Sequence, residues 1–286
     1  MLAPPVARER MLAKAPVRER RLRLAGASTA LVEGGDGPPL VLLHGGIECG
    51  GAIWSPVLSR LAESHHLVVP DLPGLGESEP LDRLDAAGFA GWFGELIRET
   101  CSQEPTVVAH SLGGTLAARF AAERGASLRR LVICAAPGLG PYHMPLKLRL
   151  VAIRFALRPT DRNAERFEQF ALLDRDRTRE RDPEWFDAFS AYTQARAMVT
   201  HVKRTMQQLI KTGTKQIPDS QLRRIEAPAS LVWGKHDRMA PLGLGEEAGT
   251  RLGWPLHVVE GAAHAPQIEQ PEAFLQFTYD MEEARP

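Results

Sequence analysis

The chain alternates between short runs of consecutive apolar residues and longer stretches whose apolar positions recur at helical spacing. Leu40-Val41-Leu42-Leu43, Leu67–Pro70, Thr106–His110, Leu131–Ala135 and Ala229–Trp233 are mainly apolar runs, the pattern of parallel strands covered on both faces. Arg21–Ala25 and Ser28–Glu33 half-alternate around Gly26, with Gly34-Gly35-Asp36-Gly37 following, which reads as an antiparallel hairpin. Pro255–Glu260 makes an eighth strand. Helices are predicted over Trp54–Glu63, Ala86–Cys101, Leu112–Arg124, Leu242–Leu252 and Pro271–Glu283. Strand and helix thus alternate through most of the chain, which implies an α/β fold with an eight-stranded, mostly parallel sheet flanked by helices.

One stretch breaks the alternation. From Gly138 to about Gln216 no strand pattern occurs, and Phe167, Phe170, Ala171 and Leu173 fall at helical spacing. So long an insertion in one crossover should fold as its own helical unit, and it reads as a cap over the mouth of the sheet. The expected division is an N-terminal extension at 1–20, a core at 21–138 and 217–286, and a helical cap at 139–216. The first twenty residues nearly repeat themselves (Met1-Leu2-Ala3 with Pro5-Val6-Ala7-Arg8-Glu9-Arg10, then Met11-Leu12-Ala13 with Pro16-Val17-Arg18-Glu19-Arg20). They are read as a terminal extension, with Met11 as an alternative start.

Composition narrows the partners. Of 286 residues, 35 are Lys or Arg and 35 Asp or Glu, so no net field recruits nucleic acid or an anionic membrane. No apolar run is long enough to span a bilayer, and no secretory h-region is present. Cys49, Cys101 and Cys134 are odd in number and widely spaced, which fits a reducing compartment. The expectation is a cytoplasmic monomer or homodimer acting on a small molecule. No His/Cys/carboxylate cluster has zinc spacing and no Gly-x-Gly-x-x-Gly follows a strand, so neither metal nor cofactor is implied.

The chemistry lies at strand ends. Thr106-Val107-Val108-Ala109-His110-Ser111-Leu112-Gly113-Gly114 runs a strand into a helix with a serine at the corner. Such a corner exposes the hydroxyl and demands small residues two before and two after it; Ala109 and Gly113 qualify. The alternative for this pattern alone is a glycine-rich packing contact with an incidental serine, which is the weaker of the two readings. His44-Gly45-Gly46 ends an earlier strand, where glycines let backbone N–H groups approach a developing oxyanion; Gly46 and Leu112 are the candidate donors. Asp237 follows the strand Ala229–Trp233 and His264 follows the last strand. An acid there can accept from a histidine and orient it, and a histidine there can take the serine proton and return it. His44, Gly45, His110, Phe167, Phe170 and Trp185 are candidate substrate-binding residues, although His110 points away from Ser111 by strand geometry.

With these motifs in the order Ser, Asp, His, the chain from about Arg21 resembles the α/β-hydrolase family, in its branch with a helical cap after the sixth strand. Asp71-Leu72-Pro73-Gly74-Leu75-Gly76-Glu77-Ser78 resembles the loop that follows the fourth strand in that branch. Two departures stand out: Ala109 occupies a position where glycine is common, and no carboxylate follows the sixth strand, which leaves Asp237 as the acid. The resemblance implies a serine hydrolase, with an ester or lactone as the leading substrate class. The carbon–carbon bond hydrolases of aromatic ring-cleavage pathways share the cap and triad. They usually carry Gly-Pro-Gly beyond the oxyanion glycines, where this chain has Ile47-Glu48-Cys49. A ligand receptor without catalysis on the same fold is the alternative of another class.

Overall fold

The computed structural model describes residues 2–124 and 128–276. The strands among them are β1 (Val17–Leu24), β2 (Ala27–Gly34), β3 (Pro39–Leu43), β4 (His66–Pro70), β5 (Thr106–His110), β6 (Arg130–Cys134), β7 (Ala229–Gly234) and β8 (Leu256–Val259). They form one sheet in the order β1-β2-β4-β3-β5-β6-β7-β8. β2 pairs antiparallel with both β1 and β4, and every other pair is parallel. All of β3 is buried, as is all but the first residue of β5, β6 and β7, as helices on both faces require. Each buried Val, Leu or Ile there contributes about 1.5–3 kcal/mol. The order turns at β3, whose neighbours are β4 on one side and β5 on the other. At such a switch point the loops leaving two strands diverge and open a crevice.

The helices are α1 (Pro4–Leu12), α2 (Ser55–Leu61), α3 (Ala86–Thr100), α4 (Ser111–Arg124), α5 (Leu146–Leu157), α6 (Asp161–Ala171), α7 (Arg175–Arg181), α8 (Pro183–Ala197), α9 (Thr200–Gly213), α10 (Asp219–Leu222), α11 (Leu242–Leu252) and α12 (Pro266–Glu269). Among the described residues, no strand lies between β6 and β7; α5 to α10 fill that connection. Residues 271–276 are helical, and the rest of the helix expected to reach Glu283 lies outside the described residues.

Part of the expected N-terminal extension packs into the fold. α1 buries Ala7, Arg8, Met11 and Leu12 and packs on α8. β1 starts at Val17, four residues earlier than the apolar pattern indicates. Its outer position explains why: Val17-Arg18-Glu19-Arg20-Arg21 is largely exposed, and charge on an edge strand deters pairing with another chain. Arg8 is held deep inside by Asp71 (Nη1 to Oδ2, 3.1 Å) and Glu19 (Nε to Oε1, 2.6 Å), with the Tyr192 ring 6.0 Å away.

Candidate active site

The loops leaving β3, β5, β7 and β8 converge above the switch point. β5 ends at His110, and Ser111 opens α4 with φ of 54°. This is a left-handed conformation that costs a residue with a Cβ about 1–2 kcal/mol. The turn survives because neighbouring backbone fixes it and small residues leave room. A methyl group on Gly113 would stand 2.1 Å from the His44 carbonyl oxygen, and one on Gly45 would stand 2.7 Å from Ser111 Cβ. Ala109 is fully buried between Leu43 and Ile133 in the sheet, so alanine satisfies the small-residue demand at the position where glycine is common.

His264 Nε2 lies 2.9 Å from Ser111 Oγ, and its Nδ1 lies 2.8 Å from Asp237 Oδ2. Asp237 Oδ1 accepts from the N–H groups of Met239 and Ala240 (2.8 and 2.9 Å). All three side chains are buried. A carboxylate so held can accept Nδ1–H, which leaves Nε2 unprotonated toward the serine. The structure thus brings Ser111, Asp237 and His264 together from three separate loops.

Gly46 and Leu112 face each other beside Ser111; a methyl on Gly46 would meet Leu112 Cδ1 at 2.7 Å. Leu112 lies in the first turn of α4, where N–H groups have no acceptor within the helix. His44 sits below this turn and off the cavity wall. Its Nδ1–H donates to the Gly45 carbonyl (2.7 Å) and its Nε2 accepts the Leu72 N–H (2.8 Å). Burial holds it at about 4, so the neutral ring braces the glycine loop. His110 does reach the cavity, while its Nε2–H donates to the His264 carbonyl (2.7 Å). Burial, reinforced by His264, lowers it to about 3. Both rings are neutral at neutral pH.

A cavity of about 470 Å³ opens over Ser111, walled by the glycine loop, α5, α6, α8 and α9. Phe167 lines it and stacks on Phe155 (centroids 5.7 Å apart). Phe170 and Trp185, expected to bind substrate, do not. On α6 the wall positions are Ala164, Phe167, Glu168 and Ala171, a spacing of three and four that turns Phe170 off that face. Trp185 stacks on Phe189 and donates from Nε1 to Ser55 Oγ (2.6 Å), tying α8 to α2. Glu48 and Tyr142 were missed by the sequence reading. Glu48, two residues beyond Gly46, is buried on the cavity wall, and burial pushes its carboxyl up to about 7. Its only prior signal was a carboxylate within an otherwise apolar turn. Tyr142 lines the cavity and donates to the Met239 carbonyl (2.9 Å).

The histidine loop is also stitched to the helices above it. The His264 N–H donates to the Ala171 carbonyl (3.0 Å). Glu269 accepts from Leu173 N–H on one oxygen (2.5 Å) and from Ala263 N–H on the other (2.7 Å). Arg181 donates to the Ile268 and Glu269 carbonyls, and Arg238 to that of Leu172.

Comparison with known proteins agrees with this architecture. Residues 40–277 match the alpha/beta hydrolase family, and the chain belongs to it. An uncharacterized protein of Mycobacterium tuberculosis is 33% identical over 106 residues, 37% of this chain and 31% of that protein's length. The pimeloyl-[acyl-carrier protein] methyl ester esterase of Aeromonas salmonicida is 26% identical over 262 residues, covering 85% of this chain and 94% of the esterase. Among solved structures, a carboxylesterase of Bacillus subtilis superposes with a TM-score of 0.80 at 19% identity, covering 99% of this chain and 98% of that one. The 2-hydroxy-6-oxo-6-phenylhexa-2,4-dienoate hydrolase of Rhodococcus sp. strain RHA1 gives 0.81 at 22% identity, covering 94% and 99%. Esterases and carbon–carbon bond hydrolases both stand among its neighbours. Among the described residues, no helix is long and apolar enough to cross a membrane.

Proposed function

We propose that this protein is a serine hydrolase that cleaves a small carboxylic ester or lactone through an acyl-enzyme. The observation that carries the reading is the hydrogen-bonded line from Ser111 through His264 to Asp237, at 2.9 and 2.8 Å, on the floor of the cavity. His264 Nε2 takes the Ser111 proton as Oγ bonds to the substrate carbonyl carbon. The carbonyl oxygen becomes an oxyanion facing the N–H groups of Gly46 and Leu112. Its collapse breaks the bond to the alcohol oxygen, which leaves with the proton from His264. Water then attacks the acyl carbon, gives a proton to His264, and that proton returns to Ser111 Oγ as the acid departs. Asp237 orients the imidazole and stabilises its cationic form throughout. Lactones follow the same path, with acid and alcohol released as one molecule.

The helices between β6 and β7 act as the cap and set substrate choice, with Phe167 on the wall. The 26% identical Aeromonas esterase, matched over most of both chains, supports ester chemistry. The three free cysteines, two of them buried, support a cytoplasmic location. A fluorophosphonate probe on the purified protein is the direct test. Labelling of Ser111, and loss of both labelling and p-nitrophenyl ester turnover in Ser111→Ala, is expected. An adduct elsewhere, or full activity in Ser111→Ala, overturns the reading. Turnover of a vinylogous diketone in preference to every ester would assign the protein to carbon–carbon bond cleavage instead.

A further inference from the structure

Helix α5 is apolar on two opposite faces. Leu148 and Phe155 point inward and are buried. Leu146, Leu150, Ile153 and Leu157 fall at spacings of four, three and four, so they form one stripe along the other side. That stripe is in water: the four side chains are 62%, 44%, 48% and 74% exposed. Of eight large apolar residues exposed among the described residues, these are four. Scattered single exposures are ordinary, whereas a contiguous strip marks a surface that something covers.

Charge indicates the covering. Lys147 and Arg154 lie on one flank of the stripe and Arg149 on the other, with Arg158 just past its end. No Asp or Glu occurs between Glu123 and Asp161. A second copy of the chain meeting this face about a two-fold axis would set these cations against one another. Aliphatic side chains without Trp or Tyr are also a poor protein hot spot. An acyl layer under anionic headgroups satisfies both features at once. The stripe is moreover continuous with the cavity: Arg149, Ile153 and Leu157 belong to the same wall as Ser111.

We propose that α5 docks the protein on an anionic phospholipid surface, with Leu146, Leu150, Ile153 and Leu157 in the acyl boundary and Lys147, Arg149, Arg154 and Arg158 among the headgroups. The overall charge balance, which excludes a long-range field, does not bear on a local basic helix. Docked in this way, the cavity mouth faces the lipid, and an apolar ester reaches Ser111 without crossing water. Only this last consequence rests on the proposed hydrolase activity; the docking itself does not.

Flotation of the full-length protein with phosphatidylcholine vesicles, with and without phosphatidylglycerol, tests the proposal. Binding should require phosphatidylglycerol and weaken with salt. Replacing Leu146 and Leu150 together by Ser should reduce partitioning by about tenfold or more. Lys147→Glu with Arg154→Glu should cost about fivefold or more per residue. These four residues lie off the cavity wall, so both double variants should hydrolyse a water-soluble short ester at the original rate, which also reports intact folding. Ser111→Ala should bind vesicles like the unaltered protein, which separates failure of docking from failure of the hydrolase reading. No affinity for anionic vesicles, or affinity unchanged in both double variants, overturns the proposal. So does a stable dimer dispersed by the Leu146 and Leu150 changes, or binding of polyglutamate without vesicle binding; these would assign α5 to a second copy or to an acidic polypeptide.

Discussion

The floor of the cavity and its roof are built on opposite terms. On the floor, every polar group of the Ser111–His264–Asp237 line has a partner at 2.8–2.9 Å, and neighbouring backbone fixes the turn that holds the serine. On the roof, α5, α6 and α9 present side chains such as Leu148, Phe167 and Met206, which lack directional bonds and can repack around different shapes. Proton transfer tolerates displacements of only a fraction of an ångström. Holding an acyl chain tolerates far more. On the proposed reading, the floor determines the reaction and the roof selects its substrate.

Asp237→Asn strikes the floor and should have the largest effect. The variant should keep its thermal transition while kcat for an ester falls about 10⁴-fold, as an amide favours the wrong imidazole tautomer. Near-normal turnover would mean that another carboxylate orients His264, and the comparison would break. Glu48, at the border between floor and roof, tests the border by pH. Burial raises its carboxyl from the ordinary 4.5 to about 7, so the folded state holds this proton more tightly than the unfolded chain. That contribution to stability is complete below about pH 4.5 and is lost as pH rises through about 7. Glu48→Gln should therefore change stability little at pH 4 and raise it at pH 8 by roughly 2–3 kcal/mol, measured by urea denaturation. Equal effects at both values would place Glu48 in contact with water. The smallest effect belongs to the roof. Phe167→Ala should shift chain-length preference among p-nitrophenyl esters by roughly tenfold with the rate of fluorophosphonate labelling retained, while Phe170→Ala leaves the preference unchanged. The reverse ranking would show that α6 turns a different face to the substrate.

Much of the floor was legible in the sequence because strand burial imposes local patterns. Continuous apolar runs located β3, β5, β6 and β7, and each of Ser111, Asp237 and His264 follows a strand within a few residues. What could not be read depends on partners distant in the chain. Arg8 looks like any surface arginine until Asp71, more than sixty positions away, comes within 3.1 Å. The charged start of β1 hides because an edge strand need not be apolar. Phe170 and Trp185 have the composition of a binding wall, but the rotation of α6 and the bond to Ser55 direct them elsewhere. The apolar stripe on α5 is periodic, yet periodicity alone does not distinguish a face turned to the core from one turned to water.

The seam between the histidine loop and Ala171–Leu173 has a mechanical meaning. His264 is anchored through its own backbone to the end of α6, and Glu269 clamps Ala263 and Leu173 beside that anchor, so the imidazole that faces Ser111 takes its backbone support from one end of the roof. The support of the imidazole and the edge of the cavity wall are thus one set of bonds.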